Sequence, residues 1–277
     1  MNSSLPRLSI VIPSFNQGDF IERTIVSILS QDYPALELIL MDGGSTDETM
    51  TVVEQYRDRF AIVKHENDAG QADAIARGFA MSTGEIMTWL NSDDTYLPGT
   101  LRRVGEFFRD NPKAAFAYGD YQLIDANDAL IVEKRQPDFD IGIVKYAFLT
   151  VPQMSAFWRR DLYLQSGGVD PGFRFAMDYD LFVKLGSLSP AAHLPFPIGR
   201  FRIHPASKTT NLESVRQHED RKIQDRVCKY SPIRNPLRFA LARKWYQTKL
   251  VALLWRNGSL GVRLRSRIGN RFKSLAS

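Results

Sequence analysis

The run Gly84-Glu85-Ile86-Met87-Thr88-Trp89-Leu90-Asn91-Ser92-Asp93-Asp94 joins an apolar, β-forming stretch to two adjacent carboxylates. Ile86 to Leu90 follows Thr83-Gly84 and is short and rich in strand formers, so it is expected to be a buried strand opening onto a loop at its carboxyl end. Asp93 and Asp94 then fall at the edge where open α/β sheets bind ligands. Neighbouring carboxylates repel, and a hard divalent cation relieves that repulsion while keeping coordination positions for phosphate oxygens. The plainer alternative is a solvated turn, with Asp93 capping a helix that starts near Pro98.

On either side of this run, strands and helices alternate. Leu8 to Ile12 is a strand stopped by Pro13, and Asp19 to Ser30 has helical spacing through Phe20, Ile21, Thr24, Ile25 and Ile28. A second strand, Leu36 to Met41, ends at Asp42-Gly43-Gly44, and Asp47 opens a helix through Val52, Val53 and Tyr56. Ala61 to Lys64 is a third short strand and Gln71 to Met81 a third helix. Beyond the quoted run come a helix over Gly99 to Arg109 and a strand over Ala114 to Tyr118. This order predicts an α/β fold with a mostly parallel sheet covered by helices on both faces.

Composition narrows the class. Of the 277 residues, 44% are hydrophobic and 24% charged, which rules out a disordered chain and leaves ample material for a core. Cys228 is the single cysteine, so no intrachain disulfide or cysteine zinc cluster can form and a reducing, cytoplasmic setting is expected. Met1 to Arg7 lacks the apolar stretch of a signal or anchor, and no run reaches membrane-spanning length.

The net charge of +5 is unevenly spread: Lys229 to Ser277 holds twelve Lys and Arg and no acidic residue, leaving a net −7 on the first 228 residues. Phe239, Leu241, Trp245, Tyr246, Leu250, Val251, Leu253, Leu254, Trp255 and Phe272 are interleaved with those cations. The segment therefore reads as a helical basic extension suited to an anionic membrane surface, or as a helix docked on the body with its arginines in water. The acidic body argues against nucleic acid.

Three strand ends carry clustered polar residues: Pro13-Ser14-Phe15-Asn16, Asp42-Gly43-Gly44-Ser45-Thr46-Asp47 and Asn91 to Asp94. Asp42 can accept hydrogen bonds from a pyrimidine imide or a ribose, and the glycines after it let backbone approach a ligand. Asp42 can equally be a turn former, and Asp47 is most simply a helix cap.

Taken in order, Ile10-Val11-Ile12-Pro13-Ser14-Phe15-Asn16, Ser27-Ile28-Leu29-Ser30-Gln31, Asp42-Gly43-Gly44-Ser45-Thr46-Asp47 and Asn91-Ser92-Asp93-Asp94 resemble the family 2 glycosyltransferases of the GT-A, Rossmann-like fold. The resemblance covers residues 7–205. It implies a domain over 1–228, with a nucleotide-sugar-binding half (7–120) and an acceptor and catalytic-base half (121–228), followed by the basic extension 229–277. Carried over, Ser14, Asn16 and Asp42 are nucleoside candidates, Asn67 and Gln71 are candidates for the base or ribose, and Asp93 is the ligand for Mg2+ or Mn2+ on the diphosphate. Asn91 stands where the family's first aspartate would be. It can bond a ribose hydroxyl but brings no charge, which leaves Asp93 most of the metal binding and Asp94 a supporting role. Asp68 is expected to cap the following helix.

Phe173 to Leu185 begins irregularly and continues as a helix through Leu181, Phe182 and Leu185. By resemblance Asp178 is the catalytic base, with Met177 in place of the family's glutamate; alternatively Asp178 only stabilises the helix start. Asp180 is read as structural. Ile198 to His204 alternates as a strand and delivers His204 to a loop containing Lys208. His204 can ligate the cation, face the diphosphate or simply form hydrogen bonds, and Lys208 can lie over phosphate.

The resulting expectation is an inverting, metal-dependent transfer of sugar from a nucleoside-diphosphate sugar, UDP favoured, to a hydroxyl of a glycan or lipid-linked acceptor in surface polysaccharide synthesis. The site would be cytoplasmic, peripheral on the membrane face. Two alternatives are a non-catalytic relative that binds nucleotide-sugar or lipid, and a sugar nucleotidyltransferase. The loop Pro13 to Asp19 has no Lys or Arg to hold a triphosphate, which weighs against the latter.

Overall fold

A computed structural model describes residues 4–205, 213–230 and 236–256. Its first four strands, β1 (Leu8–Ser14), β2 (Leu36–Asp42), β3 (Ile62–His65) and β4 (Ile86–Trp89), lie side by side as β3-β2-β1-β4, all parallel. Because β1 is covered on both faces, each of its residues is buried, and alternate side chains enter different cores. Val11, Ile39, Met41 and Met87 pack beneath α3 (Gln71–Met81), whereas Ile10, Ile12, Leu38 and Leu40 pack beneath α1 (Ile21–Leu29) and α4 (Thr100–Asp110). Buried Ile21, Thr24, Ile25 and Ile28 form the i, i+3, i+4, i+7 stripe seen in the sequence. At Gly78 a Cβ would lie 2.6 Å from Val11 Cγ1, so glycine there lets α3 close onto the sheet.

Pro13 does not end β1. Val11 accepts a hydrogen bond from Leu90 of the β4 side, so the missing N–H of Pro13, two residues on, also points toward β4. The β1–β4 ladder has already stopped at Val11 and Trp89, and the proline removes no bond. Residue 47 likewise sits outside its helix: α2 runs Thr49–Glu54, and Asp47 accepts from the Thr49 amide at 3.0 Å and the Gly18 amide at 2.9 Å, tying two loops together. Asp68 accepts from the Gly70 amide at 2.8 Å, one residue before α3, and so braces the approach to the helix.

The second half adds β5 (Thr95–Tyr96), β6 (Phe116–Ile124), β7 (Leu130–Lys134), β8 (Ala156–Arg159) and β9 (Ala192–Arg202). The sheet continues from β4 through β8, β6 and β9 to β5, with β7 on β6. β6 and β9 are parallel and the remaining pairs antiparallel, so parallel ladders still hold most paired residues. β9 starts earlier than the sequence pattern suggests because register shifts around Asp120 absorb the interruption near Pro195 and Pro197.

Helices α5 (Ile141–Tyr146), α6 (Arg160–Ser166), α7 (Met177–Leu188), α8 (Glu213–Tyr230) and α9 (Pro236–Arg256) complete the described chain. Phe182 of α7 stacks on Trp89 at the end of β4, with ring centroids 6.2 Å apart. One face of α9 rests on α5: Tyr246 stacks on Tyr146 at 5.4 Å and covers Gly142, Leu250 and Leu254 meet Ile143, and Lys249 pairs with Asp140, the residue that caps α5. Among the described residues no helix is long and apolar enough to cross a membrane.

Candidate active site

The register of the parallel strands assembles the site. β1 and β2 pair as far as Ser14 and Asp42, and β2 and β3 as far as Asp42 and His65, so these three residues form a row across the carboxyl edge. The loops behind them interlock. The Asn16 amide donates to Ser45 Oγ at 2.7 Å and Thr46 donates to Asn16 Oδ1 at 2.9 Å, with Asn16 in the left-handed region (φ 51°) that asparagine tolerates. Ser14 Oγ is buried with no hydrogen-bond partner among the described residues, an orphan that a ligand at this edge would satisfy.

Asp42 is more committed than its sequence context suggests. It is almost fully buried; Oδ1 accepts from the Gly44 and Ser45 amides and meets His65 Nδ1 at 2.7 Å, while Oδ2 accepts from Ser45 Oγ at 2.5 Å. The carboxylate thus orders its own loop, with its side chain fully buried. Asn67 is exposed against this loop. A Cβ on Gly44 would lie 2.5 Å from Asn67 Oδ1, and Gly44 has φ 86°, so both space and backbone call for glycine there.

Beyond β4, the two carboxylates diverge. Asp94 is fully buried, accepting from the Arg202 amide at 3.0 Å and Asn91 Nδ2 at 3.2 Å; burial, with the Asp93 charge adding to it, raises its carboxyl well above the usual range. Asp93 turns outward, with Oδ2 3.1 Å from His204 Nε2. Arg202 fixes this turn: its buried guanidinium donates to the Asp93 carbonyl at 2.8 Å and to Asp128 Oδ1 at 2.6 Å, and lies 5.4 Å from the Phe20 ring. Asn91 accepts from Gln71 Nε2 at 2.8 Å and donates to Gln153 Oε1 at 3.2 Å, which brings two of the expected residues into one amide network. Asp93 does not cap α4, whose N-cap is Gly99.

Among the described residues no group of three His, Cys, Asp or Glu forms a cation cage. The Asp93 carboxylate oxygen suits Mg2+ or Mn2+ that takes its remaining ligands from diphosphate and water, and the imidazole nitrogen beside it suits Mn2+ better than Mg2+, so the donor set fits an open half-site.

Asp178 stands in the first turn of α7, one helical turn before the Phe182 that stacks on Trp89. It is half-buried, and its Oδ1 accepts from the Tyr179 amide at 2.8 Å. Burial pushes its carboxyl up to about 6, opposed by that amide and helped by the nearby charge of Asp220. Asp180 points elsewhere, bonding Arg226 at 2.8 Å and Lys184 at 2.6 Å. Lys208 lies outside the described residues.

Glu219 of α8 drew no attention in the sequence. Its buried carboxylate accepts from the backbone amides of Arg174, Phe175 and Ala176 at 2.7, 2.9 and 2.8 Å, holding the loop immediately before α7. Gln224 of the same helix donates to Tyr179 Oη at 2.7 Å. Glu219→Ala strands three amides and is expected to cost about 3 kcal/mol. Faster hydrogen exchange at 174–176 and a lowered Tm would register it, and parental exchange there would refute the clamp.

A sequence profile described as Glycosyl transferase family 2 matches residues 9–161. The chain belongs to this family. An uncharacterized glycosyltransferase of Rickettsia prowazekii is 27% identical to it over 223 residues, 78% of this chain and 70% of the relative. A PGL/p-HBAD biosynthesis glycosyltransferase of Mycobacterium bovis is 28% identical over 183 residues, 65% of this chain and 69% of the relative. Among solved structures, S. aureus TarS 1-349 in complex with UDP-GlcNAc is similar with a TM-score of 0.69 and 15% identity, covering 89% of this chain and 73% of TarS 1-349. The mannosyltransferase PcManGT of Pyrobaculum calidifontis, in complex with GDP-Man and Mn2+, gives 0.59 and 21%, covering 99% of this chain and 81% of its own. These likenesses identify the fold of this family 2 glycosyltransferase as GT-A.

Gln153, Arg202 and Glu219 support the site from outside its sequence motifs, and His65, which has no metal-ligand spacing with His204 in the sequence, supports it through Asp42.

Proposed function

We propose that this glycosyltransferase moves a sugar from a nucleoside-diphosphate donor, UDP-sugar favoured, to a hydroxyl of a glycan or lipid-linked acceptor, with inversion at the anomeric carbon. The observation that carries the reading is the pairing of Asp93 with His204 at the sheet edge that also bears Ser14, Asn16 and Asp42. Ser14, Asn16, Asp42 and Asn67 would hold the nucleoside, with Gln71 and Asn91 beside the ribose. Mg2+ or Mn2+ on Asp93 and His204 would offset the charge of the departing diphosphate. Lys208 is proposed as a further phosphate contact.

Asp178 takes the proton of the acceptor hydroxyl as that oxygen bonds to the anomeric carbon, while the bond from that carbon to the diphosphate oxygen breaks and its electron pair leaves with the diphosphate. A single displacement of this kind inverts the carbon and needs no enzyme nucleophile. The same reading places the enzyme in surface polysaccharide synthesis at the cytoplasmic face of a membrane, held peripherally by its basic C-terminal segment.

Thermal shift with UDP, GDP and dTDP, each with and without Mn2+, tests the donor side. The correct nucleotide at about a hundredfold over its Kd is expected to raise Tm by about 5 °C, and only with metal present. Equal shifts with all three, or shifts indifferent to Mn2+, count against the reading.

A further inference from the structure

Helix α9 is apolar on two sides. Tyr246, Leu250 and Leu254 face α5, and Lys249 reaches Asp140 beside them. Yet Leu241, Trp245, Val251 and Trp255 are 59%, 57%, 52% and 75% exposed. At helical spacing these four, with exposed Ala252, fall within a sector of roughly 120° turned away from the docked face. Exposed Thr248 and Lys244 also lie within this sector, and Arg256, 3.9 Å from Asp138, lies at its edge.

We infer that the outward face of α9 seats on an anionic lipid bilayer while its inward face stays locked on α5. This deepens the peripheral-membrane part of the proposed function and rests on the helix alone, not on the nucleotide site. Tryptophan suits the level of the headgroups, since its ring is apolar and its N–H polar. Lys244 on this face suits lipid phosphate, as does Arg256 at its edge once it exchanges Asp138 for phosphate, and residues 229–277 carry twelve positive charges and no negative one. A second copy of the chain fits less well, because pairing two such helices face to face would bury the charge of Lys244, which lies on the face itself.

Docking and membrane contact are therefore simultaneous, using opposite sides of one helix. The arrangement also reaches the acceptor half: α5 supplies the Val144 carbonyl to which Tyr179 Oη donates at 2.9 Å, so the turn of α7 bearing Asp178 is braced against the element that α9 covers. An acceptor carried on lipid would then meet a base held at fixed height above the bilayer.

The test is co-sedimentation of the full chain with vesicles of phosphatidylcholine containing about 30% phosphatidylglycerol, against phosphatidylcholine alone. The parent should sediment with the anionic vesicles. The combined variant Leu241→Glu, Trp245→Glu, Trp255→Glu should lose about tenfold or more of that binding at unchanged Tm and unchanged solution mass. If that variant unfolds, Lys244→Gln with Arg256→Gln replaces it, with weakened binding expected and a smaller response to added salt.

Equal sedimentation of parent and folded variant overturns the inference, as does a parent that ignores anionic vesicles, or a parental dimer that the variant turns into a monomer. Calorimetry with UDP and Mn2+ on the same samples keeps the two readings apart. Vesicle binding without UDP binding removes the nucleotide reading alone; UDP binding without vesicle binding removes this inference alone.

Discussion

Asp178→Asn is expected to lower kcat by about two to four orders of magnitude while leaving nucleotide binding within about twofold of the parent. The amide keeps the shape of the carboxylate and can still accept from the Tyr179 amide, so the start of α7 stays in place. It cannot take a proton from the acceptor hydroxyl. A general base must be ionised to act, and burial holds this carboxyl up at about 6. In the parent, kcat/KM should therefore climb as pH rises through about 6 and level off above it.

Stability moves the other way. The folded state binds the proton of Asp178 more tightly than the unfolded chain, so the stability linked to it is present below the unfolded carboxylate range and lost as pH passes about 6. Asn removes that loss, and the variant's Tm at neutral pH should equal or exceed the parent's. Falling turnover with a steady or rising Tm separates a base from a residue that merely caps α7. Near-normal release of nucleoside diphosphate by the variant would take Asp178 out of the mechanism.

Most of the parallel half of this fold is legible in the sequence because β1, β2 and β4 are buried on both faces and are marked by largely apolar runs, whereas β3, at the sheet edge, is marked only by Ile62 and Val63. Gln71 to Met81 is read to the residue because the apolar stripe of α3 follows immediately on Gly70. The second half hides for several reasons. β8 has four residues, and its place between β4 and β6 depends on partners distant in sequence. β9 passes through a proline-rich stretch. Among the described side chains α8 buries Ile223 and Val227 as its apolar contacts and is held by Glu219, Gln224 and Arg226, so its hydrophobic period is weak.

The candidate site shows the same division. Residue types at strand ends located Ser14, Asp42 and Asp93, but spacing says nothing of which carboxylate lone pairs are already occupied. Asp42 meets His65 through the β2–β3 register, and Asp93 meets His204 because β5 pairs with β9 and lays Thr95 against Arg200. Contacts between residues so far apart along the chain exist only once the sheet is formed.

Asp93→Ala is expected to weaken Mn2+-dependent nucleotide binding by about a hundredfold and to leave binding without metal unchanged. Of the two adjacent carboxylates, only Asp93 is free to serve in this way: Asp94 is enclosed and bound to the Arg202 amide and to Asn91. The backbone of the turn should survive the substitution, since Arg202 holds it through the carbonyl of residue 93, which alanine keeps. His204 would lose its carboxylate neighbour yet remain beside Phe20, with ring centroids 4.4 Å apart, so the imidazole stays near the site. Of the two residues proposed to hold the cation one would then remain, too few to compete with water for a small hard cation. Isothermal titration of UDP with and without Mn2+ measures the difference, and an unchanged metal-dependent Kd in the Asp93→Ala protein would show that the cation, and the charge it offsets, sit elsewhere.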